Sequence, residues 1–392
     1  MITNKRILTI QDISCVGQCS ITVAQPILSA CGIETCILPS AVLSNHTGGF
    51  KDFFFRDLTD DIPKIREHWE KEGILFGAVL TGYLGNAAQI SMVKDIMNSC
   101  LLPGGLRIVD PAMADHGKLY RGFDQAHVTA MGELCKCADI LLPNLTEACF
   151  LTGTEYMEGE VEESYVRDLL EKLSDFGARR VILKGISFEE GKLGNAVYDA
   201  ETDQVRFYFT DRFAKSSHGT GDCFAAAFTG ALLQGSSAYN AAVLASDFVV
   251  ESLMQTADDP DHWYGVKFEQ ALPMLVRRLN RAEPVSRKAR EAAQERVIYR
   301  LDGSSFKDAS GFYQEIARLM TDGATETGGN LDALNDILRG GFGKHHYGEP
   351  IEIIWENFSD SREALGESLT FRIVNVILNA DDDHDCLLRI SE

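Results

Sequence analysis

A chain of 392 residues with 45% hydrophobic and 24% charged residues can bury a large core, which excludes a disordered or fibrous protein and leaves room for more than one domain. Lys and Arg total 37 against 58 Asp and Glu, and the formal net charge of −21 repels nucleic-acid backbones and acidic membrane surfaces. Ten cysteines spread through apolar segments, without metal-finger spacing, read as reduced and mostly buried thiols of a cytoplasmic protein.

The opening MITNKRILTIQDIS is too short for a secretory core and is interrupted by Asp12. RILTI (6–10) predicts a strand, followed by a helix near 18–31, a strand at ETCILPS (34–40) and a helix over 61–71 that ends at Gly73. AVLTG (78–82), RIVD (107–110), DILLP (139–143) and RVILKG (180–185) supply further strands with helical spacers, and NAVYDAETDQVRFYFT (195–210) reads as a hairpin. Strands alternating with helices predict an α/β fold, a mostly parallel sheet with helices on both faces. Such sheets bind ligands beyond the carboxyl ends of their strands, where Asp110-Pro111 and Pro143-Asn144 stand. No charge occurs between Asp222 and Asp247, a stretch long enough to span a bilayer. Gln234, Gly235, Ser236, Ser237 and Asn240 interrupt it, so it reads as two buried helices and no membrane segment is expected.

The character changes near residue 277. Seven basic residues, Arg277 to Arg296, fall in a stretch with only three acids and Pro284 among them, which reads as a linker over 281–296 between domains at 1–280 and 297–392. The pattern then restarts as a strand (VIYRL), a helix (310–320), a Gly-rich turn, a helix (331–338), a strand (IEIIW), a helix and a strand (CLLRI), enough for a small α/β domain. From Arg296 onward 18 acids face nine bases, a net charge of −9.

KSSHGTGDCFAAAFTGALL (215–233) carries the most chemical information. Small residues precede a long apolar helix, so the backbone N–H groups of Gly219, Thr220 and Gly221 can converge where the helix dipole favours an anion. Asp222, on the first turn, can take a proton from a hydroxyl while those amides stabilise a transferring phosphoryl group. A turn with an Asp cap fits the same spacing. Asn144 and Glu147 open another helix at a spacing that reaches a magnesium ion directly or through water, and equally makes a cap with an N3 acid.

These residues resemble the ribokinase-like superfamily of small-molecule kinases, which carries GTGD with an upstream Asn-x-x-Glu. The resemblance runs over about 5–280 and, through IQDISCVGQCS, LSNHTGGF, LTGYLG, VDPAMAD and ILLPNLTEACFLTG, extends to the pyridoxal kinase branch. It implies transfer of the ATP γ-phosphoryl group to the hydroxymethyl of pyridoxal, pyridoxine or pyridoxamine. Asp222 would be the base, Gly219, Thr220 and Gly221 the anion hole, and Asn144, Glu147 and Asp110 the magnesium and phosphate environment. Lys184 would touch the nucleotide, and Asp12, Thr47 and Tyr83 would lie beside the vitamer. The family also implies a homodimer through this domain. Asp12 replaces a serine of better-known members and would favour a donor group on the substrate. The pyrimidine kinases of thiamine synthesis share the pattern and are the alternative, as is a binding protein on a kinase scaffold.

In GGNLDALNDILRG (328–340), Asp332 and Asp336 share one helical face and Leu331, Leu334 and Leu338 the other. With VIYRLDGSSFKDASGFYQEI and EIIW, this signature resembles barstar, an intracellular ribonuclease inhibitor, over about 297–391. The resemblance implies that Asp332 and Asp336 engage the basic active site of a nuclease. Thr327 and Asn335 stand where the family has aromatic residues, which implies a different or weaker partner.

Overall fold

The computed structural model describes residues 6–213, 217–259, 261–281, 296–323, 328–346, 349, 351–378 and 386–391. The chain divides into two compact units, Met1–Glu283 and Pro284–Glu392. Apart from Arg281 and Arg296, the expected linker lies outside the described residues, as does Thr327.

The first unit opens with β1 (Ile7–Ser14), α1 (Ile21–Ala30), β2 (Thr35–Leu43), β3 (Phe55–Asp57), α2 (Ile62–Glu72), β4 (Phe76–Thr81), α3 (Ala87–Ser99) and β5 (Leu101–Val109). A small hairpin, β6 (Ala114–Asp115) and β7 (Lys118–Leu119), leads to α4 (Gln125–Cys135), β8 (Ile140–Leu141), α5 (Leu145–Thr152) and α6 (Glu163–Ser174). The unit continues through β9 (Arg180–Ile186), β10 (Lys192–Asp199), β11 (Gln204–Asp211), α7 (Thr220–Leu233), α8 (Ala238–Ala257) and α9 (Phe268–Arg281).

Nine strands form one sheet in the order β11-β10-β9-β8-β5-β4-β1-β2-β3. The six inner strands from β9 to β2 run parallel, while β3 and the β10–β11 hairpin add antiparallel edges. Successive side chains on a strand point to opposite faces, and here both faces are apolar. Leu8, Ile10, Val79, Val109, Leu141 and Val181 pack with α3, α4 and α6. Ile7, Ala78, Leu80, Ile108, Ile140 and Ile182 pack with α1, α7, α8 and α9. Burial on both faces is why these strands read as unbroken apolar runs.

The uncharged stretch after Asp222 becomes α7 and α8, and Ser237 caps α8 by accepting from the Asn240 amide. Among the described residues no helix is long and apolar enough to cross a membrane. The DILLP segment contributes only Ile140–Leu141 to the sheet, because the chain turns into α5 beyond Pro143. The thiols are less uniformly buried than expected: five of the ten are buried, Cys15 is exposed and the others are half-buried.

In the second unit β12 (Val297–Asp302), α10 (Ala309–Met320), α11 (Leu331–Arg339), β13 (Ile351–Glu356), α12 (Phe358–Leu365), α13 (Glu367–Leu378) and β14 (Cys386–Ile390) follow one another. The three strands form a parallel sheet in the order β12-β13-β14. Trp355, Phe312, Ile353, Leu334 and Ile373 are buried in its own core. The Trp355 indole donates to Ser361 Oγ at 2.8 Å, which satisfies the one polar atom that this large ring brings inside.

Candidate active site

The carboxyl ends of β1, β4, β5, β8 and β9 bring Asp12, Tyr83, Asp110, Asn144 and Lys184 to one edge of the sheet, where α7 begins. Gly219 is the N-cap of α7, with φ 82°. A Cβ there would stand 1.8 Å from the Gln18 carbonyl oxygen, so backbone packing alone demands glycine. Helical hydrogen bonding starts at the Cys223 amide, which donates to the Gly219 carbonyl, so the N–H groups of Thr220, Gly221 and Asp222 precede the ladder. At Gly221, by contrast, a Cβ would meet nothing within 4 Å. These two glycines therefore make opposite predictions. Gly219→Ala should lower the melting temperature by several degrees or prevent folding. Gly221→Ala should melt like the parent, and if these amides receive phosphate charge as the sequence resemblance implies, it should lose about tenfold or more in kcat/KM for ATP. Thermal denaturation and nucleotide titration distinguish the two.

Asp222 is half-buried on the first turn of α7. Its Oδ2 accepts the backbone N–H of Ser20 at 2.9 Å. Burial pushes its pKa up to about 7, with help from Asp110 and Asp12 and against the Ser20 N–H and Lys184.

Lys184 is no ordinary strand-end lysine. Its Nζ donates to Asp110 Oδ2 at 2.7 Å, and the two side chains are only 11% and 8% exposed. Asn144 and Glu147 form a capping box on α5: Asn144 Oδ1 accepts the Glu147 amide and Glu147 Oε2 accepts the Asn144 amide, each at 2.8 Å. The structural alternative for this pair is thus realised, but Glu147 is more than a cap. It is buried, and its Oε1 accepts the Met113 amide at 3.2 Å. Burial and the neighbouring Asp110 push its pKa up to about 8. Burial raises Asp110 as well, against the pull of Lys184. Burial opposes the charge on Lys184, but Asp110 and Glu147 outweigh it and hold the ammonium protonated. Three carboxylates, Asp110, Glu147 and Asp222, thus share one buried cation.

Asp12 is buried, accepts from Ser14 Oγ at 3.0 Å, and is raised by burial against hydrogen bonds from Ser20 and Ser14. Tyr83 is half-buried, and one ring face is already covered by Phe123 at a centroid distance of 5.4 Å and 20° between planes. Thr47 is exposed and its hydroxyl makes no hydrogen bond among the described residues. Its neighbour His46 is the anchored residue of that loop. His46 Nδ1 accepts the Gly48 amide at 2.9 Å, so Nε2 carries the proton and donates to the Tyr264 carbonyl at 3.1 Å.

Sequence reasoning missed Ser20, His46 and Tyr120. Tyr120, just after β7, is 38% exposed as a whole, and partial desolvation of its hydroxyl together with the nearby Glu147, Asp115, Asp222 and Asp110 raises its pKa. The polar Ser-Asn-His run could have pointed to His46. Nothing local marks the other two.

A parallel sheet between two helical layers, with a glycine-started helix and an acid on its first turn at the strand ends, defines a small-molecule kinase of the ribokinase-like fold. Residues 61–265 match the profile of phosphomethylpyrimidine kinase, and the chain belongs to that family. Residues 296–385 match the profile of barstar, the barnase inhibitor. A phosphomethylpyrimidine kinase-like protein of Bacteroides thetaiotaomicron, crystallised with pyridoxal, is 35% identical, covers 70% of this chain and 96% of its own, and superposes with a TM-score of 0.66. A pyridoxine/pyridoxal/pyridoxamine kinase of Bordetella avium is 29% identical over 271 residues, 64% of this chain and 85% of its own. A hydroxymethylpyrimidine/phosphomethylpyrimidine kinase of Haemophilus influenzae is 31% identical over 180 residues, 44% of this chain and 63% of its own. Kinases of this family use ATP as the phosphoryl donor.

Proposed function

We propose that the first unit transfers the γ-phosphoryl group of ATP to the hydroxymethyl group of a vitamin B6 vitamer, pyridoxal, pyridoxine or pyridoxamine. The observation that carries this reading is the place of Asp222, on the first turn of α7 beside amides that precede the helical ladder, where burial raises its carboxyl toward neutrality. A base poised near neutrality takes the hydroxyl proton as the oxygen attacks, and Gly219, Thr220 and Gly221 receive the charge that develops on the phosphoryl oxygens. Lys184 reaches the nucleotide phosphates from its place beside Asp110. Asp12, Thr47 and Tyr83 line the acceptor side, with the open face of Tyr83 toward the ring.

Magnesium fits the donor set. Asp110 and Glu147 are buried oxygen donors, both raised by burial, beside the ammonium of Lys184. Both Glu147 oxygens already accept backbone amides, so Glu147 and Asn144 would hold the ion through water. Among the described residues no three His, Cys, Asp or Glu gather to bind an ion alone, in keeping with a cation that keeps waters and shares the phosphates. When bound, the ion neutralises phosphate charge.

The second reading is a hydroxymethylpyrimidine kinase, favoured by the family match and by Asp12, whose buried carboxylate suits an amino group on the acceptor. A coupled assay of ATP consumption with pyridoxal, pyridoxine, pyridoxamine and the hydroxymethylpyrimidine side by side decides between them. Turnover of a B6 vitamer supports the proposal. Turnover of the pyrimidine alone selects the second reading, and no turnover of any acceptor leaves a scaffold without this chemistry.

For the barstar-like unit, the proposal is a basic ribonuclease partner, with the domain boundary inside 281–296 and self-association through the kinase unit. Asp332 and Asp336 are both exposed on α11, and Asp336 pairs with Arg339 at 3.3 Å. Leu334, Ile337 and Leu338 on the opposite face are buried. In surface plasmon resonance with the full chain, binding to a basic ribonuclease should slow as salt rises. Replacing both aspartates with alanine should weaken it about tenfold or more, ~1.4 kcal/mol. Equal binding by parent and double variant would remove these residues from the interface.

A further inference from the structure

We propose that Gln89 is a positioning residue that presets Tyr83 as the flat wall of the acceptor site. This role rests on the reading that Tyr83 lines that site.

A glutamine at the third position of a helix has an ordinary task. It closes a capping box by accepting the N–H of the N-cap residue. Half of that box is present at the start of α3, where the Asn86 side chain accepts the Gln89 amide at 3.0 Å. The other half is displaced. Gln89 Oε1 reaches past Asn86 and accepts the N–H of Gly85 at 2.7 Å, so the side chain leaves its own helix and holds the turn that carries Tyr83. Its Nε2 donates to the Ser40 carbonyl and to Thr59 Oγ1, each at 2.9 Å, with Asp57 Oδ1 at 3.2 Å. Ser40, on β2, donates its hydroxyl to the Tyr83 carbonyl at 3.1 Å. The amide has one orientation here, because a backbone N–H can only donate and a backbone carbonyl only accept. Gln89 and Ser40 are both fully buried, so water does not compete for these bonds.

Tyr83 is thereby held on both sides. Before it, the Gly82 N–H donates to the Ile10 carbonyl at 3.1 Å, in the parallel register that sets β4 beside β1 and Tyr83 beside the stretch carrying Asp12. After it, Leu84 is fully buried and Gly85 is fixed by Gln89. The ring is backed by Phe123, which stacks in turn on His127 with centroids 3.6 Å apart and 10° between planes. A glutamine that served only α3 would need no bond outside the helix. A wall ordered before the acceptor arrives spares the loss of freedom that ordering it on binding would cost, so the gain falls on acceptor affinity and not on the chemical step.

The test uses the full chain and whichever of the four acceptors above supports turnover. Gln89→Met keeps the length of the side chain and removes its bonds to Gly85 and Ser40. Ser40→Ala removes only the hydroxyl on the Tyr83 carbonyl, and Tyr83→Leu removes the ring. Gln89→Met should raise the KM for the acceptor about tenfold and Ser40→Ala about threefold, with kcat within about threefold and the KM for ATP within about twofold of the parent. Both should melt below the parent, since each leaves a buried backbone group short of a partner. In the Tyr83→Leu background neither substitution should raise the acceptor KM further, because a residue that acts through Tyr83 then has nothing to position. A lowered melting temperature with the acceptor KM unchanged in Gln89→Met overturns the proposal, as does an equal rise with and without the Tyr83 ring. Should Gln89→Met not fold, Gln89→Asn, an amide one carbon too short to reach Gly85, takes its place with the same expectations. If Tyr83→Leu has the parent's acceptor KM, or if no acceptor is phosphorylated, the reading of the site falls and the role of Gln89 with it.

Discussion

Asp222→Asn should lower kcat by about 10²-fold to 10⁴-fold, the range for loss of a general base, while nucleotide affinity stays within a few-fold. The asparagine keeps the shape and still accepts the Ser20 amide that now holds the carboxylate at 2.9 Å, so geometry is conserved and only proton transfer is lost. The parent enzyme offers a companion test. With Asp222 near pKa 7, kcat/KM should fall about tenfold for each pH unit well below neutrality. Stability carries the opposite sign. The folded-state pKa lies above the ordinary 3.8, so the folded protein binds the extra proton between about pH 4 and 7. Stability therefore declines as pH rises through that window, and the penalty persists above it. Asp222→Asn should melt higher than the parent at pH 8 and level with it near pH 4, an exchange of stability for function common at catalytic groups. A variant with near-normal kcat would make Asp222 a helix cap and the glycines around it a structural turn.

What the sequence disclosed follows from how local each cause is. The strands of the parallel sheet announce themselves because both of their faces are buried, so Leu8 and Ile10 pack against one layer while Ile7 packs against the other. Gly219 to Asp222 could be read because small residues running into an apolar helix constrain the backbone by themselves. The hairpin β6–β7 could not, since two residues per strand have no period to detect. The capping box at Asn144 and Glu147 was legible as a spacing, but its burial beside Asp110 was not. Ser20 is the clearest case. Its role depends on a positive φ that its side chain disfavours and on a partner 202 residues away, and neither leaves a mark in the neighbouring sequence.

Lys184→Met should cost about 3–5 kcal/mol of folding stability at pH 8, as expected when one partner of a buried ion pair is removed. The size follows from the company Asp110 keeps. Among the described residues Lys184 is the only cation facing Asp110, Glu147 and Asp222 together, and the pair it forms with Asp110 is nearly closed to solvent. Without the ammonium, Asp110 has no compensation for its desolvation and its pKa, already raised, climbs further. A carboxyl whose folded pKa lies above its unfolded value binds a proton on folding. The penalty is therefore small near pH 4, where both states hold that proton, and grows as pH rises until the folded carboxyl ionises or the protein unfolds. Urea denaturation of parent and variant at pH 5 and pH 8 should show the gap widening with pH. Adding Asp110→Asn to Lys184→Met should recover most of the loss, because the buried charge is gone, and the double-mutant cycle should give a coupling above about 2 kcal/mol. Turnover should remain low in the double variant, since restoring stability does not restore a cation to the proposed phosphate site. If Lys184→Met were as stable as the parent at pH 8, solvent would have to reach Asp110, and the lysine would revert to an ordinary residue at the end of a strand.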